Sequence, residues 1–229
     1  SVRCAIHFNS FFYVVFRTSA RQEMDEPEIL SGIFEGRTLG TPIAMIVRNS
    51  DARSKDYEDI KATPRAGHAD DVWKQKFGHS DHRGGGRSSG RETIGRVAAG
   101  AVAAKVLKEL GIEIKAYAKA IAGIEVSKDH FDFAEMNNNP FNMPDKEAAK
   151  LVQEKADQMI KEMDSIGGII ECQITGMPVG IGETVFDKLD AELSKAIMSI
   201  GSVKGFEIGD GFEAANLRGS ENNDDFICV

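Results

Sequence analysis

Residues 83–91 read RGGGRSSGR, so arginines, a glycine triplet and paired serines share one short run. Arg83, Arg87 and Arg91 carry planar guanidinium forks that suit phosphate or carboxylate. The glycines at 84–86 let a backbone approach a ligand closely. Ser88 and Ser89 then lead into a helix. A helix N-terminus presents unpaired N–H groups and a partial positive charge, and so attracts phosphate. The chemistry these residues point to is the holding of an anionic, phosphorylated ligand. The plainer reading of such a run is a glycine-rich turn with solvated arginines, and Ser89 has a second use as the helix cap.

His68 lies in RAGHADD, residues 65–71. A histidine can give or take a proton near neutrality, and flanking carboxylates would tune it. A surface histidine is the alternative. His79, Asp81 and His82 form HSDH, a spacing that matches no strong zinc signature, and no resident metal is expected.

These residues need a frame. Residues 28–34 and 41–48 read as two strands joined by GRTLG, and 49–57 as a polar loop. Residues 61–86 have few apolar positions and no clean period, which predicts a long functional loop. Ile94, Val97, Ala98, Ala101, Val102 and Leu110 recur at helical spacing. Ser89 with Glu92 predicts a capping box at the start of that helix, and Gly111 its end. Residues 112–126 read as extended. A break at 140–144 precedes a helix over 145–163, with Ala148, Val152, Met159 and Met163 on one face. A strand follows at 169–175, a helix at 184–200 with Leu189, Leu193, Ile197 and Ile200 in a stripe, and a strand at 203–208. The pattern is α+β.

The chain has 229 residues, enough for a sizeable core, and a formal net charge of −8. The acidic balance argues against nucleic acid as a partner. The apolar run at 11–16 is far below membrane-spanning length and reads as a buried strand, so no membrane partner is expected. Cys4, Cys172 and Cys228 fit neither a disulfide framework nor a metal spacing, and a cytoplasmic setting is expected.

Residues 65–103, RAGHADDVWKQKFGHSDHRGGGRSSGRETIGRVAAGAVA, closely resemble the signature region of chorismate synthase. Residues 28–57, 178–212 and 217–224 continue the resemblance, which spans about 21–226. It implies a β-α-β sandwich in a single domain over 1–229, and a reaction. The family converts 5-enolpyruvylshikimate 3-phosphate to chorismate and phosphate by a 1,4-elimination that needs reduced FMN, with NADPH as a candidate reductant. Its enzymes are homotetramers. By position, His68 matches a catalytic proton donor that serves the reduced flavin. Arg87, Ser88 and Ser89 match flavin contacts, as do Gly201 and Ser202. Arg65 and Arg91 match arginines that hold the phosphorylated substrate. Ala66, Asp71 and Gly90 depart from the family pattern. Residues 1–20 lack its GESHG-type segment, and its GGISNG-, KPTSS- and GRHDPC-like segments are not found. The expectation is a domain incomplete at both ends. A non-catalytic homologue keeping part of the flavin- and phosphate-binding loop is the second reading.

Overall fold

The computed structural model describes residues 2–8, 26–49, 63–65, 67–81 and 89–223. The expected strand at 11–16 and loop at 49–57 lie outside these residues, save for Asn49. In chain order the strands and helices begin with β1 (Val2–Phe8), β2 (Pro27–Ser31), β3 (Ile33–Phe34), β4 (Arg37–Thr38) and β5 (Ala44–Val47). Then come α1 (Asp70–Phe77), α2 (Thr93–Glu109), β6 (Glu113–Ile121), β7 (Ile124–Glu125) and α3 (Lys146–Glu162). The last are β8 (Gly168–Thr175), β9 (Gly182–Glu183), β10 (Asp187–Lys188), α4 (Leu189–Met198) and β11 (Val203–Ile208). The class is α+β, as expected. The chain divides into two compact units, Ser19–Val106 and Ser1–Thr18 with Leu107–Val229.

The second of these units is built on a five-stranded antiparallel sheet in the order β11-β1-β8-β6-β7. Helix α3 supplies its core. Ala148, Ala149, Val152 and Ala156 are buried in one cluster with Ala118 and Ile121 of β6 and Phe141 and Met143 of the preceding loop. The sequence places those helical residues at i, i+1, i+4 and i+8, one stripe of a 3.6-residue period.

Asp145 holds this helix to the sheet-side loop. Its side chain accepts from the N–H groups of Glu147 and Ala148 at 2.9 and 3.0 Å, and from Ser127 N–H at 3.0 Å. The residue is only 2 % exposed. Burial by itself would raise its carboxyl pKa. The donors from Ala148, Ser127 and Glu147, helped by the charge of His130, outweigh that and hold it below the ordinary range. Asn139 folds the loop before it, donating to the carbonyls of Glu135 and Met143 and accepting from Phe141 and Met143 N–H.

A second buried carboxylate lies between β6 and β8. Glu171 faces Tyr117 across the ladder, accepts from the Tyr117 hydroxyl, and pairs with Lys119 Nζ at 3.2 Å. Gln173 Nε2 donates to it at 3.3 Å. Burial raises its pKa, but Tyr117, Gln173 and Lys119 more than offset this. Phe131 and Phe133 stack edge-on against Tyr117 and each other, at 4.8–5.8 Å between centroids.

Several expectations change. Residues 70–77 form a helix where a long loop was expected; Trp73 and Phe77, one turn apart, make a ring contact at 4.9 Å that supplies apolar contact on a polar helix. The helix expected over 184–200 begins only at Leu189, because 184–188 belongs to the β9–β10 hairpin. Gly182 makes that hairpin possible: a Cβ there would sit 2.7 Å from Leu189 N. The expected helix over 145–163 runs Lys146–Glu162 with Asp145 as its cap, but Met163 leaves the apolar face. It takes a left-handed φ of +53° and is 95 % exposed. Strand β1 was not anticipated, although VRCAIHF alternates apolar and polar at period two over most of its length.

Helix α2 ends as the sequence implies. Gly111 (φ +74°) lets Ile112 N–H reach Leu107 O at 2.9 Å and Gly111 N–H reach Lys108 O at 3.0 Å, a Schellman closure. Its apolar stripe, however, has no buried member, and Val97 remains 73 % exposed.

Replacing Asp145 by Ala should destabilise the chain by about 2–4 kcal/mol, since it removes a helix cap and leaves buried N–H groups unpaired. Met163→Gly should stabilise by about 1 kcal/mol by removing left-handed strain at an exposed site. Denaturant titration checks both. The folded carboxyls of Asp145 and Glu171 bind protons less readily than in the unfolded chain. Their stabilisation is therefore present above the unfolded carboxylate range, about pH 4, and lost as pH falls through the lower folded values. A melting temperature unchanged from pH 7 down to pH 3 would contradict this.

Candidate functional site

Three groups of described residues bear on the expected chemistry. The first is the entry to α2. Ser89 has extended backbone (φ −80°, ψ 145°), and its Oγ accepts from Arg91 N–H at 3.3 Å. A 3-10 turn over Gly90–Glu92 follows and runs directly into α2. Ser89 therefore caps the helix as expected. The reciprocal half of the capping box does not form, because the Glu92 carboxylate turns to Arg96, one helical turn on, with Nε and Nη2 both at 3.0 Å. This matters electrostatically. An unpaired carboxylate at N3 would compete with an incoming anion for the helix terminus, whereas here Arg96 neutralises it. Arg91 is half-buried beside this entry. Arg83, Arg87, Ser88, the glycines at 84–86 and His82 lie outside the described residues.

The second group is the turn before α1. His68 N–H donates to Arg65 O at 3.3 Å, and Gly67 between them takes φ +75°. Arg65 and His68, separate candidates in the sequence, are thus held three residues apart on one tight turn. Both are exposed, so a ligand can meet them without displacing core.

The third group is the turn from α4 to β11. Val203 N–H reaches Ile200 O at 3.4 Å, with Gly201 and Ser202 at the turn's centre. Val203 is buried and anchors the strand side. Ser202 sits at φ +69°, a left-handed conformation that glycine adopts without penalty. A serine there costs on the order of 1 kcal/mol or more. The strain has no structural return within the turn, which favours a use for the hydroxyl. Sequence reasoning named this pair by resemblance alone; the left-handed serine is invisible without the backbone.

Within the unit of residues 19–106, the α2 entry and the turn before α1 offer guanidinium groups, a hydroxyl and helix-entry amides, a donor set suited to an anionic, phosphorylated ligand. Among the described residues, a Cβ built at Gly90 or at Gly201 would meet nothing within 4 Å, so neither glycine is demanded by protein packing. A cleft of about 420 Å³ beside the start of α3, lined among others by Glu135, Asn138, Lys146 and Lys150, contains none of these candidates. Among the described residues no group of three His, Cys, Asp or Glu side chains could hold a metal ion, and no helix is long and apolar enough to cross a membrane.

Comparison with known proteins bears on the whole chain. The family model for chorismate synthase matches residues 13–229. A chorismate synthase of Lachnospira eligens is 62 % identical over 92 % of this chain and 57 % of its own length. One from Methanosarcina mazei is 53 % identical over 92 % of this chain and 58 % of its own. A crystal structure of chorismate synthase superposes with a TM-score of 0.72 at 34 % identity, covering 88 % of this chain and 60 % of that one. The chain thus spans somewhat over half the length of the curated relatives it matches. With a match that runs almost from end to end and a fold shared with a solved member, the chain belongs to the chorismate synthase family.

Proposed function

We propose that this chain serves the chorismate synthase reaction, the 1,4-elimination of phosphate from 5-enolpyruvylshikimate 3-phosphate to chorismate, with reduced FMN as cofactor. The observation that carries the proposal is the family match over residues 13–229. The site geometry supports it, because the elimination breaks a C–O bond and sheds a phosphate dianion, and the described candidates are anion-holding groups.

The roles divide as follows. Arg65 and Arg91 hold the phosphorylated substrate and stabilise the charge that grows on the departing phosphate; fixed donors aimed at developing charge are effective because they need not reorganise. By their match to the family's flavin contacts, Arg87, Ser88 and Ser89 would hold the flavin, as would Gly201 and Ser202. His68, by its match to the family's proton donor, would hold a proton on its imidazole N–H for use when the reduced flavin is bound. Reduced FMN, when bound, lends electron density transiently, so that the elimination proceeds without net redox change. NADPH is the proposed source of the reduced form. On the family's pattern the enzyme is a cytoplasmic homotetramer acting on small phosphorylated molecules, with neither nucleic acid nor membrane as partner.

The test is anaerobic turnover by the purified protein with pre-reduced FMN, following chorismate and orthophosphate together. Equal release of both is expected, and flavin-loaded, folded protein that yields neither would refute the proposal. His68→Gln should lower kcat by about a hundredfold or more, the usual worth of a positioned proton donor, and leave FMN affinity within about twofold. Arg91→Ala should raise KM by roughly tenfold or more through the loss of a charged hydrogen bond. Ser202→Gly separates stability from function: it should raise stability by about 1 kcal/mol while weakening FMN binding. Unaltered flavin affinity in that variant would remove Ser202 from the site.

A further inference from the structure

The cleft of about 420 Å³ at the start of α3 takes no part in the proposed reaction, yet it is large enough for a small molecule. One wall is a face of α3. Lys146, Ala149 and Lys150 lie three and four residues apart there, and so share one side of the helix. The facing wall is the loop before the helix, which contributes Glu135, Pro140 and Phe141. Ala149 and Phe141 are buried, whereas both lysines are exposed. The lining is therefore apolar at its base and charged at its rim.

The rim charges are of opposite sign and do not cancel. Among the described residues, Lys146 and Lys150 form no ion pair with Glu135 or with any other carboxylate. The Glu135 side chain accepts from the Asn138 amide at 3.3 Å through Oε1, and Oε2 has no partner among the described residues. The amides at the start of α3 are not the attraction, because those of Glu147 and Ala148 already donate to Asp145. A simple anion would be drawn to the lysines and repelled by Glu135, and a simple cation would meet the reverse. A ligand bearing both charges satisfies both walls, and an apolar portion would cover the base.

We propose that this cleft binds a free α-amino acid with an apolar side chain. The ligand carboxylate accepts from Lys146 and Lys150, whose flexible stems let two Nζ groups converge on one anion. The ligand ammonium donates to Glu135. The ligand side chain packs on Pro140, Phe141 and Ala149. Occupancy ties the loop to α3, and so stabilises the folded chain in proportion to ligand concentration over Kd.

The experiment titrates the whole chain with L-leucine and follows amide shifts by NMR, which reports affinity and place together. Two analogues each lack one charge: 4-methylpentanoate has no ammonium, and 3-methylbutylamine has no carboxylate. L-Leucine should saturate with a Kd on the order of 1 mM or tighter, and each analogue should bind roughly tenfold or more weakly. The shifts should centre on Glu135, Ala149 and Lys150. Glu135→Gln should reduce L-leucine to the affinity of 4-methylpentanoate and leave 4-methylpentanoate no weaker. Lys146→Ala combined with Lys150→Ala should reduce L-leucine to the affinity of 3-methylbutylamine. Titration of the unmodified chain with the three ligands does not depend on how the variants fold. No saturable shift up to about 20 mM, equal affinity for L-leucine and 4-methylpentanoate, or shifts centred elsewhere would each overturn the proposal.

Discussion

The carboxylate of Asp145 is the constraint on which the larger unit depends. A buried charge is costly unless its lone pairs are met, and here N–H donors from three residues on two segments meet them. Two of those donors start α3, and the third belongs to the loop leaving β7. One group therefore fixes where the helix begins and how it approaches the sheet. The packing of Val152 and Ala156 against Ile121 and Met143 follows from that placement. Glu171 repeats the principle between β6 and β8, where a tyrosine, a glutamine and a lysine converge on a single carboxylate. Both carboxylates are stabilised as anions, so neither is a reservoir of protons for chemistry. They secure the scaffold and leave proton transfer to other groups.

The elements legible in the sequence were those specified by neighbours along the chain. Helix α3 could be read almost to the residue, because Asp145 is a cap by type and the apolar positions recur with helical period. Strand β11 matched its expected bounds, and Gly111 marked the close of α2. The misreadings share a cause. Helix α1 was missed because its polar residues hide the Trp73–Phe77 contact. Residues 184–188 have no strong local preference and follow the β9–β10 ladder, which is a pairing decision. Met163 fits the helical stripe by number, but the closure of α3 turns the chain one residue too soon for it to be buried.

The candidate site shows the same division. Ser89 as a cap was plain from its type and place, and the structure confirms that role through the Arg91 N–H. The fate of Glu92 was not plain, since a capping box and an i,i+4 pair with Arg96 compete for one carboxylate. The structure resolves that competition in favour of the arginine, and the helix entry keeps its attraction for anions. The proximity of Arg65 to His68 needed the turn to be seen. The left-handed Ser202 needed the backbone.

Strain and exposure then separate groups kept for folding from groups kept for chemistry. Met163 and Ser202 both adopt left-handed backbone, yet their settings differ. Met163 closes a helix, where glycine or asparagine is preferred and the side chain, almost wholly in solvent, brings nothing in return. Ser202 lies between the buried Val203 and a glycine with open space beside it, in a turn that resemblance alone had marked as a flavin contact. Its hydroxyl is held at an energetic disadvantage in a turn with open space beside it. The scaffold residues of this chain are recognised by the completeness of their bonding, as Asp145 is. Ser202 is set apart instead by backbone strain that nothing within its own turn repays.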